Sequence, residues 1–411
     1  MRILVISNLY PPHYLGGYEL GCRDVAEGLR ARGHEVTVLT STYGVAAPVD
    51  QGHVLRRLSG NFVAKPTTRL GRYWETSRRQ WRNARQLART LSDVKPELVY
   101  VFSPVGVSTS IGWLAEDQGY LVVYYVSDHW MTRTATAGWA GARQKRQGAF
   151  RSAFRRLLSR LGIAPRSSTL KARDAQFVSG FIRDEAAEAG VELESPHVVH
   201  WGVELDQLPF RAEARAARKV LFAGRIEEPK GVHTLVEAFG VAARDCSQEI
   251  CLTVVGRCPS EAYRTRLQRL AEEGGVTLRV EFLAHVAREE LLCVYQSHDV
   301  YVLPSEWHEP FSIGVMEAMA SGLAVVATTT GGTTELCRDG ENCLTYPPGD
   351  AEAAARCLTR LVIEDGLAER LRTQARREVE EGLQMSQMID RVEGLLEASI
   401  AQHNKRSLPS S

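Results

Sequence analysis

Two glutamates eight positions apart, Glu309 and Glu317, carry the most specific chemistry in this chain of 411 residues. They lie in His308-Glu-Pro-Phe-Ser-Ile-Gly-Val-Met-Glu-Ala-Met-Ala-Ser-Gly322, where a strand is expected at Val300–Leu303 and a helix from about Ser312 to Ala320. Glu309 then precedes the helix and Glu317 lies inside it. Backbone N–H groups near Phe311, Ser312 and Ile313 have no partner at a helix start, so they form an anion site beside an acidic residue. A carboxylate beside a phosphate is costly unless it binds hydroxyls. The combination suits a nucleotide sugar: amides and basic groups for diphosphate, one Glu for sugar hydroxyls, the other for ribose. The same residues also describe a capped helix with two surface glutamates.

A second element is Gly224-Arg-Ile-Glu-Glu-Pro-Lys-Gly231. Arg225 and Lys230 flank a loop ahead of a helix, where an Arg fork and a Lys point charge would clamp a phosphate. The spacing is not that of a Walker loop, and a surface turn paired to Glu227 and Glu228 is the alternative. Lys230 stands out in a chain of 7 lysines and 43 arginines. Third, Gly16-Gly17 falls where the first strand's loop meets the first helix, letting a ligand approach the backbone closely; a plain turn explains the pair equally. No G-x-G-x-x-G follows any strand, which counts against a dinucleotide oxidoreductase.

The elements that must position these residues are legible as periodicity. Arg2–Ser7 reads as a buried strand, Tyr18–Arg32 as a helix stopped by Gly33, and His34–Thr40 as the next strand. That is the βαβ unit of a parallel sheet. Further strands are expected at Leu98–Phe102, Leu121–Val126, Ala175–Val178 and His197–Val199. A second cycle starts at Lys219, with strands at Val220–Gly224, Cys251–Val255 (closed by Gly256), Arg279–Phe282, Val300–Leu303, Ala324–Ala327 and Cys343–Tyr346. Its helices are expected at Gly231–Ala243, Tyr263–Glu273 and Arg288–Ser297. The fold class is therefore α/β, two doubly wound parallel-sheet, Rossmann-like domains facing across a cleft. The predicted division is 1–205 and 206–384, with a boundary near Leu205–Ala217. Residues 385–411, a helix and a loose tail, would pack back on the first domain.

Composition agrees: 44% hydrophobic, 24% charged and 8% aromatic residues is ordinary globular usage. The formal charge of +1 conceals a split. Residues 1–205 carry 27 Lys/Arg against 18 Asp/Glu, and residues 206–411 carry 23 against 31, so the halves are suited to different partners. The start is not a signal peptide, and no apolar stretch approaches the ~20 residues that span a bilayer. Eight cysteines without a C-x-x-C pair point to reduced thiols in a cytoplasmic protein and no zinc site.

Taken in order, the Gly-Gly loop, GR…KG, PS…E-x7-E and G-G-x-x-E-L resemble the retaining glycosyltransferase family 4, of GT-B architecture. The likeness covers Arg2–Thr40, His197–Phe210 and Val220–Asp350. It implies transfer of a sugar from a nucleoside-diphosphate donor, UDP- or GDP-linked, to an acceptor hydroxyl. Anomeric configuration would be retained, with neither metal nor other cofactor. It implies that Arg225 and Lys230 grip the diphosphate, that Glu309 serves the donor sugar's hydroxyls, and that Glu317 serves the ribose. Phe311, Ser312 and Ile313 would line phosphate and sugar through backbone amides. Gly16, Gly17 and Gly256 would approach the donor, and Phe282–Val286, with His285 and Val286, would line the base. Many family members carry His-Asp after the central strand of the first domain. Here Val126-Ser-Asp-His-Trp130 places Ser127 at the His position and keeps Asp128, so Asp128 and His129 are expected near the reaction centre. Ala284 and Thr334 replace the family's usual Gly and Pro.

Two basic segments remain. His129–Arg173 holds 11 Lys/Arg and no acid, with Phe150, Phe154, Leu157, Leu158 and Leu161 on one helical face; Arg69–Arg89 holds seven arginines with Trp74 and Trp81. Core-facing helices with solvated arginines, or peripheral contact of segments 69–89 and 143–173 with an anionic inner membrane face, both account for them. Nucleic acid is the weakest partner, since no recognised module appears. The expected acceptor is a glycan, a lipid-linked molecule or a small molecule. The competing functional readings are a nucleotide-sugar epimerase or hydrolase on the same fold, and a non-catalytic membrane- or polymer-binding protein.

Overall fold

The computed structural model describes residues 1–45, 50–62, 69–136, 170–210, 216–246 and 248–407. It divides into two compact units, 1–199 with 389–411, and 200–388. His200–Val203 belongs with the second unit: Val203 bridges to Gln384, and Trp201 and Val203 are buried.

The first unit is built on a parallel sheet, β1 (Arg2–Ile6), β2 (Glu35–Ser41), β3 (Val54–Leu58), β4 (Leu98–Val101), β5 (Val122–Val126), β6 (Lys171–Phe177) and β7 (Glu192–Val198), in the order 3-2-1-4-5-6-7. Central strands β1, β4 and β5 are almost wholly apolar, as a sheet covered on both faces requires. Strand β3 escapes the sequence reading because two arginines occupy its middle. Arg56 is nevertheless buried, donating from Nη1 to the Tyr10 carbonyl (3.1 Å) and from Nη2 to that of Pro11 (2.6 Å). The helix expected from Met385 runs to Ser407. From Ile389 on it belongs to this unit: Ile389 packs on Gly28, Glu393 pairs with Arg32 (2.5 Å) and His34 (2.7 Å), and Ser399 donates to Asp174 (3.2 Å).

The second unit holds β8 (Lys219–Ala223), β9 (Cys251–Val255), β10 (Val280–Leu283), β11 (Val300–Leu303), β12 (Ala324–Thr328) and β13 (Leu344–Tyr346), parallel throughout and ordered 10-9-8-11-12-13. In each sheet the order reverses beside the first strand of the unit, between β1 and β4 and between β8 and β11. Such a switch point leaves a crevice at the carboxyl ends of the strands, where ligands bind. Two helices absent from the sequence reading, Ala351–Ile363 and Leu367–Gly382, cover this sheet.

Of basic segment 143–173, only Leu170–Arg173 is described, so Phe150, Phe154, Leu157, Leu158 and Leu161 lie outside the described residues. Segment 69–89 falls in the helix Arg69–Val94. Asn83, Leu87 and Thr90 face inward, while Arg78, Trp81, Arg82, Arg85 and Arg89 are exposed. No described helix is long and apolar enough to cross a membrane.

Candidate functional site

Arg225, Lys230, Gly256 and Glu309 lie on loops that leave the carboxyl ends of β8, β9 and β11 in the second unit, whereas Gly16 and Gly17 belong to the first. Strand β8 leaves through Gly224, which touches Gly256 at the exit of β9. Gly256 has φ of 151°, and a Cβ there would lie 1.7 Å from the Gly224 carbonyl oxygen. Arg225 follows, 63% exposed and 3.2 Å from Glu227. The chain then makes a short 3-10 turn, Glu228–Lys230, whose Pro229 carbonyl accepts from Glu306 N (3.0 Å) and Trp307 N (3.1 Å). Gly231 closes the turn with φ of 64°, and a Cβ there would lie 1.9 Å from the Pro304 carbonyl oxygen. The GR…KG loop is therefore strapped to the exit of β11, and the strap delivers Lys230. Its Nζ donates to Glu309 Oε1 at 2.6 Å, with side chains 20% and 9% exposed.

Glu309 is held from behind by its backbone. Its carbonyl accepts from Gly332 N (2.7 Å), and a Cβ on Gly331 would lie 2.4 Å from that oxygen. Thr330 Oγ1 donates to the Trp307 carbonyl (2.8 Å) and Thr328 Oγ1 to that of Ser305 (2.7 Å). Ser312 caps the helix Ile313–Ser321, its Oγ accepting from Val315 N (3.4 Å). The first-turn amides have no partner within the helix, as at any helix start. The Phe311 ring stacks on His200 with centroids 4.8 Å apart, and His200 Nε2 is 2.9 Å from Glu335.

Glu317 lies in the middle of that helix, with its side chain 4% exposed. Burial pushes its carboxyl up, while the Arg288 guanidinium and the Tyr295 hydroxyl act to hold it down. Arg288 Nη1 is 2.5 Å from Glu317 Oε1. The sequence reading did not select Arg288. Its signal was a local misfit: a cation opening the helix Arg288–Ser297, where the helix dipole favours acids. The pair also ties down the segment that carries His285, which is exposed, and Val286, which is half-buried. The structure thus joins Lys230 to Glu309 and Glu317 to Arg288. Arg225 bonds to neither glutamate, pairing instead with Glu227.

In the first unit, Gly16 N donates to Glu19 Oε2 (3.0 Å) at the start of the helix Gly17–Ala31. Glu19 is 5% exposed. Burial raises its pKa, the amides of its own loop lower it, and Asp128 raises it further. The first loop and the exit of β5 are therefore electrostatic neighbours. The sequence reading passed over Glu19, although a Glu three positions after a helix start is a capping signal. Asp128 accepts from Trp130 N (2.5 Å), lies 3.4 Å from Arg133, and is pushed up by burial. His129 is 6% exposed, and its Nδ1 is 2.7 Å from Glu185, which also accepts from Thr132 Oγ1 (3.0 Å). Its ring is thereby held by the helix Gly180–Glu188.

Two family models divide the chain between them. Residues 15–207 match Glycosyltransferase Family 4, and residues 208–378 match Glycosyl transferases group 1. The chain is a family 4 glycosyltransferase. Its relatives include a phosphatidyl-myo-inositol mannosyltransferase of Mycobacterium leprae, 34% identical over 41% of this chain and 45% of that one. A glycogen synthase of Mycobacterium tuberculosis is 27% identical over 92% of this chain and 90% of its own. A D-inositol 3-phosphate glycosyltransferase of Xylanimonas cellulosilytica is 30% identical over 66% of this chain and 65% of that one. The matched stretch thus spans less than half of the first relative. Among solved structures, sucrose-phosphate synthase from Thermosynechococcus elongatus superposes with a TM-score of 0.74 over 97% of this chain and 99% of that one, at 21% identity. Anabaena HepE in complex with UDP and glucose gives 0.67 over 97% and 100%, at 19% identity. These likenesses establish the GT-B fold of the glycosyltransferase, with its two parallel-sheet α/β units.

Proposed function

We propose that this glycosyltransferase moves a sugar from a UDP- or GDP-linked donor to a hydroxyl of a glycan, a lipid-linked molecule or a small molecule, retaining anomeric configuration and using no metal. The observation that carries the reading is the Lys230–Glu309 pair at the switch point of the donor-side sheet. A lysine at that edge beside a helix start meets a diphosphate's charge, and Arg225, largely exposed, adds a second cation without rearranging a buried pair. In this reading these cations replace a metal in offsetting the charge that develops on the leaving diphosphate. Glu309, already paired with a cation, accepts from sugar hydroxyls, and Glu317 accepts from the ribose. Retention is inferred from the likeness of the E-x7-E segment to the retaining family. A UDP donor gains support from the UDP held by the Anabaena neighbour. Acceptor contact falls to the N-terminal unit through Asp128, while the Glu185 pairing leaves His129 the supporting part.

The test is thermal unfolding of the full chain with UDP, GDP, ADP and CMP, with chelator present. A ligand at 100 times its Kd stabilises by about 2.7 kcal/mol, roughly 5–10 °C for a unit of this size. A shift with one nucleotide, lost in Lys230→Ala, supports the reading; no shift with any of the four overturns it. Donor consumption without acceptor would favour the epimerase or hydrolase instead. A lipid-linked acceptor draws support from the stripe of Arg78, Arg82, Arg85 and Arg89 around exposed Trp81, over whose ring Arg85 sits at 4.6 Å. Such a stripe suits an anionic membrane surface.

A further inference from the structure

We infer that Arg288 is a positioning residue for the nucleotide half of the donor site, keeping Glu317 ionised and oriented so that both its oxygens serve as acceptors. The inference rests on the proposed role of Glu317 toward ribose. Three observations carry it. Glu317 is among the most enclosed carboxylates of the described chain, its side chain 4% exposed, between buried Val315, Met316 and Met319 on its own helix. A carboxylate so placed takes up a proton unless a cation stands against it. Among the described residues Arg288 supplies that charge, Nη1 to Oε1 at 2.5 Å; the hydroxyls of Tyr295 and Tyr301 are the other groups that act on it. Finally, the pair is lopsided in exposure: Glu317 is 4% exposed and Arg288 37%. The arginine therefore reaches the carboxylate from the solvent side, where a nucleotide would also arrive.

The protonation state decides what the site can bind. An ionised carboxylate presents only acceptors, matching two donor hydroxyls, whereas a protonated one turns half of itself into a competing donor. Without Arg288, burial would act on Glu317 with its main counterweight gone, so the carboxyl would take up a proton more readily and ribose affinity would fall as pH falls. With Arg288 in place that fall should be smaller.

The test uses full-length protein, UDP, GDP and ADP as probes, and isothermal calorimetry over the range in which a buried carboxylate titrates. Wild type should bind one of them with little pH dependence. Arg288→Met should lose roughly tenfold or more in affinity at neutral pH and recover as pH rises. Arg288→Lys should restore most of the affinity and the flat profile. Should Arg288→Met fail to fold by thermal melt, Arg288→Gln carries the same test. A folded Arg288→Met with wild-type affinity and a flat profile overturns the inference. An equal loss at every pH, unrelieved by Lys, also overturns it, because Arg288 would then touch the nucleotide itself. Glu317→Gln separates the two levels of the reading. If it weakens binding while Arg288→Met does not, only the inference fails. If it leaves binding unchanged, or if wild type binds none of the three probes, the ribose assignment fails with it.

Discussion

Removing the lysine from the Lys230–Glu309 pair should damage stability and turnover by separable routes. The two groups meet at 2.6 Å with the Glu309 side chain 9% exposed, so Lys230→Met strands a carboxylate away from water. Breaking a buried pair from one side costs about 3–5 kcal/mol. Because the Lys230 side chain keeps 20% exposure, the lower figure, about 3 kcal/mol, applies. At about 2–4 °C per kcal/mol for a unit of this size, the melting midpoint should fall roughly 6–12 °C. Turnover should fall ~100–1000-fold, the usual cost of one aimed charge. The double variant Lys230→Met with Glu309→Gln removes both charges, so it should regain most of the lost midpoint while turnover stays low. The assay pairs thermal unfolding with nucleotide release from whichever nucleotide sugar stabilises the wild type. A folded Lys230→Met that releases nucleotide at a near-normal rate would refute the diphosphate role. A double variant no more stable than the single one would refute the charge-pairing argument.

Other outcomes follow from neighbouring geometry. Gly231→Ala should unfold the donor-side loop and abolish the nucleotide shift, because its Cβ would overlap the Pro304 carbonyl at a φ of 64°; retained nucleotide binding would show the strap to be dispensable. Glu116, which accepts from Tyr124 at 3.1 Å, is pushed up to about 7 by burial. A raised carboxyl favours the folded state while protonated and loses that advantage as pH rises, so it should cost up to ~3 kcal/mol above neutral pH. Glu116→Gln should accordingly raise the melting midpoint at alkaline pH, with the gain shrinking toward the usual Glu range; a pH-independent effect would dismiss the titration. Replacing Arg82 and Arg85 with Glu should reduce salt-sensitive sedimentation with anionic liposomes. Unchanged sedimentation would remove the described helix from membrane contact.

How much was readable in advance depends on how local each signal was. Strands β9 and β11 and the helix Arg288–Ser297 fall at the residues the periodicity indicates, since an apolar run between turn residues is complete within a few positions. Strand β3 was hidden because Arg56 looks like a surface residue until the Tyr10 and Pro11 carbonyls are known to receive it. The same limit applied to His129. Its place after a strand suggested chemistry, but Glu185, which holds it, arrives from a helix 56 residues later.

The parallel α/β class, the repeat of the wind in two halves, and the glutamates and glycines of the donor-side loops are all legible along the chain. Each of these is written in spacing within one element or one turn. Which charges meet emerges on folding: Lys230 with Glu309 across 79 positions, Arg288 with Glu317, and Asp128 near Glu19. Those pairings depend on strand order, which brings the exits of β8 and β11 together at the switch point. No local pattern encodes that adjacency, because it follows from how the strands wind around β8.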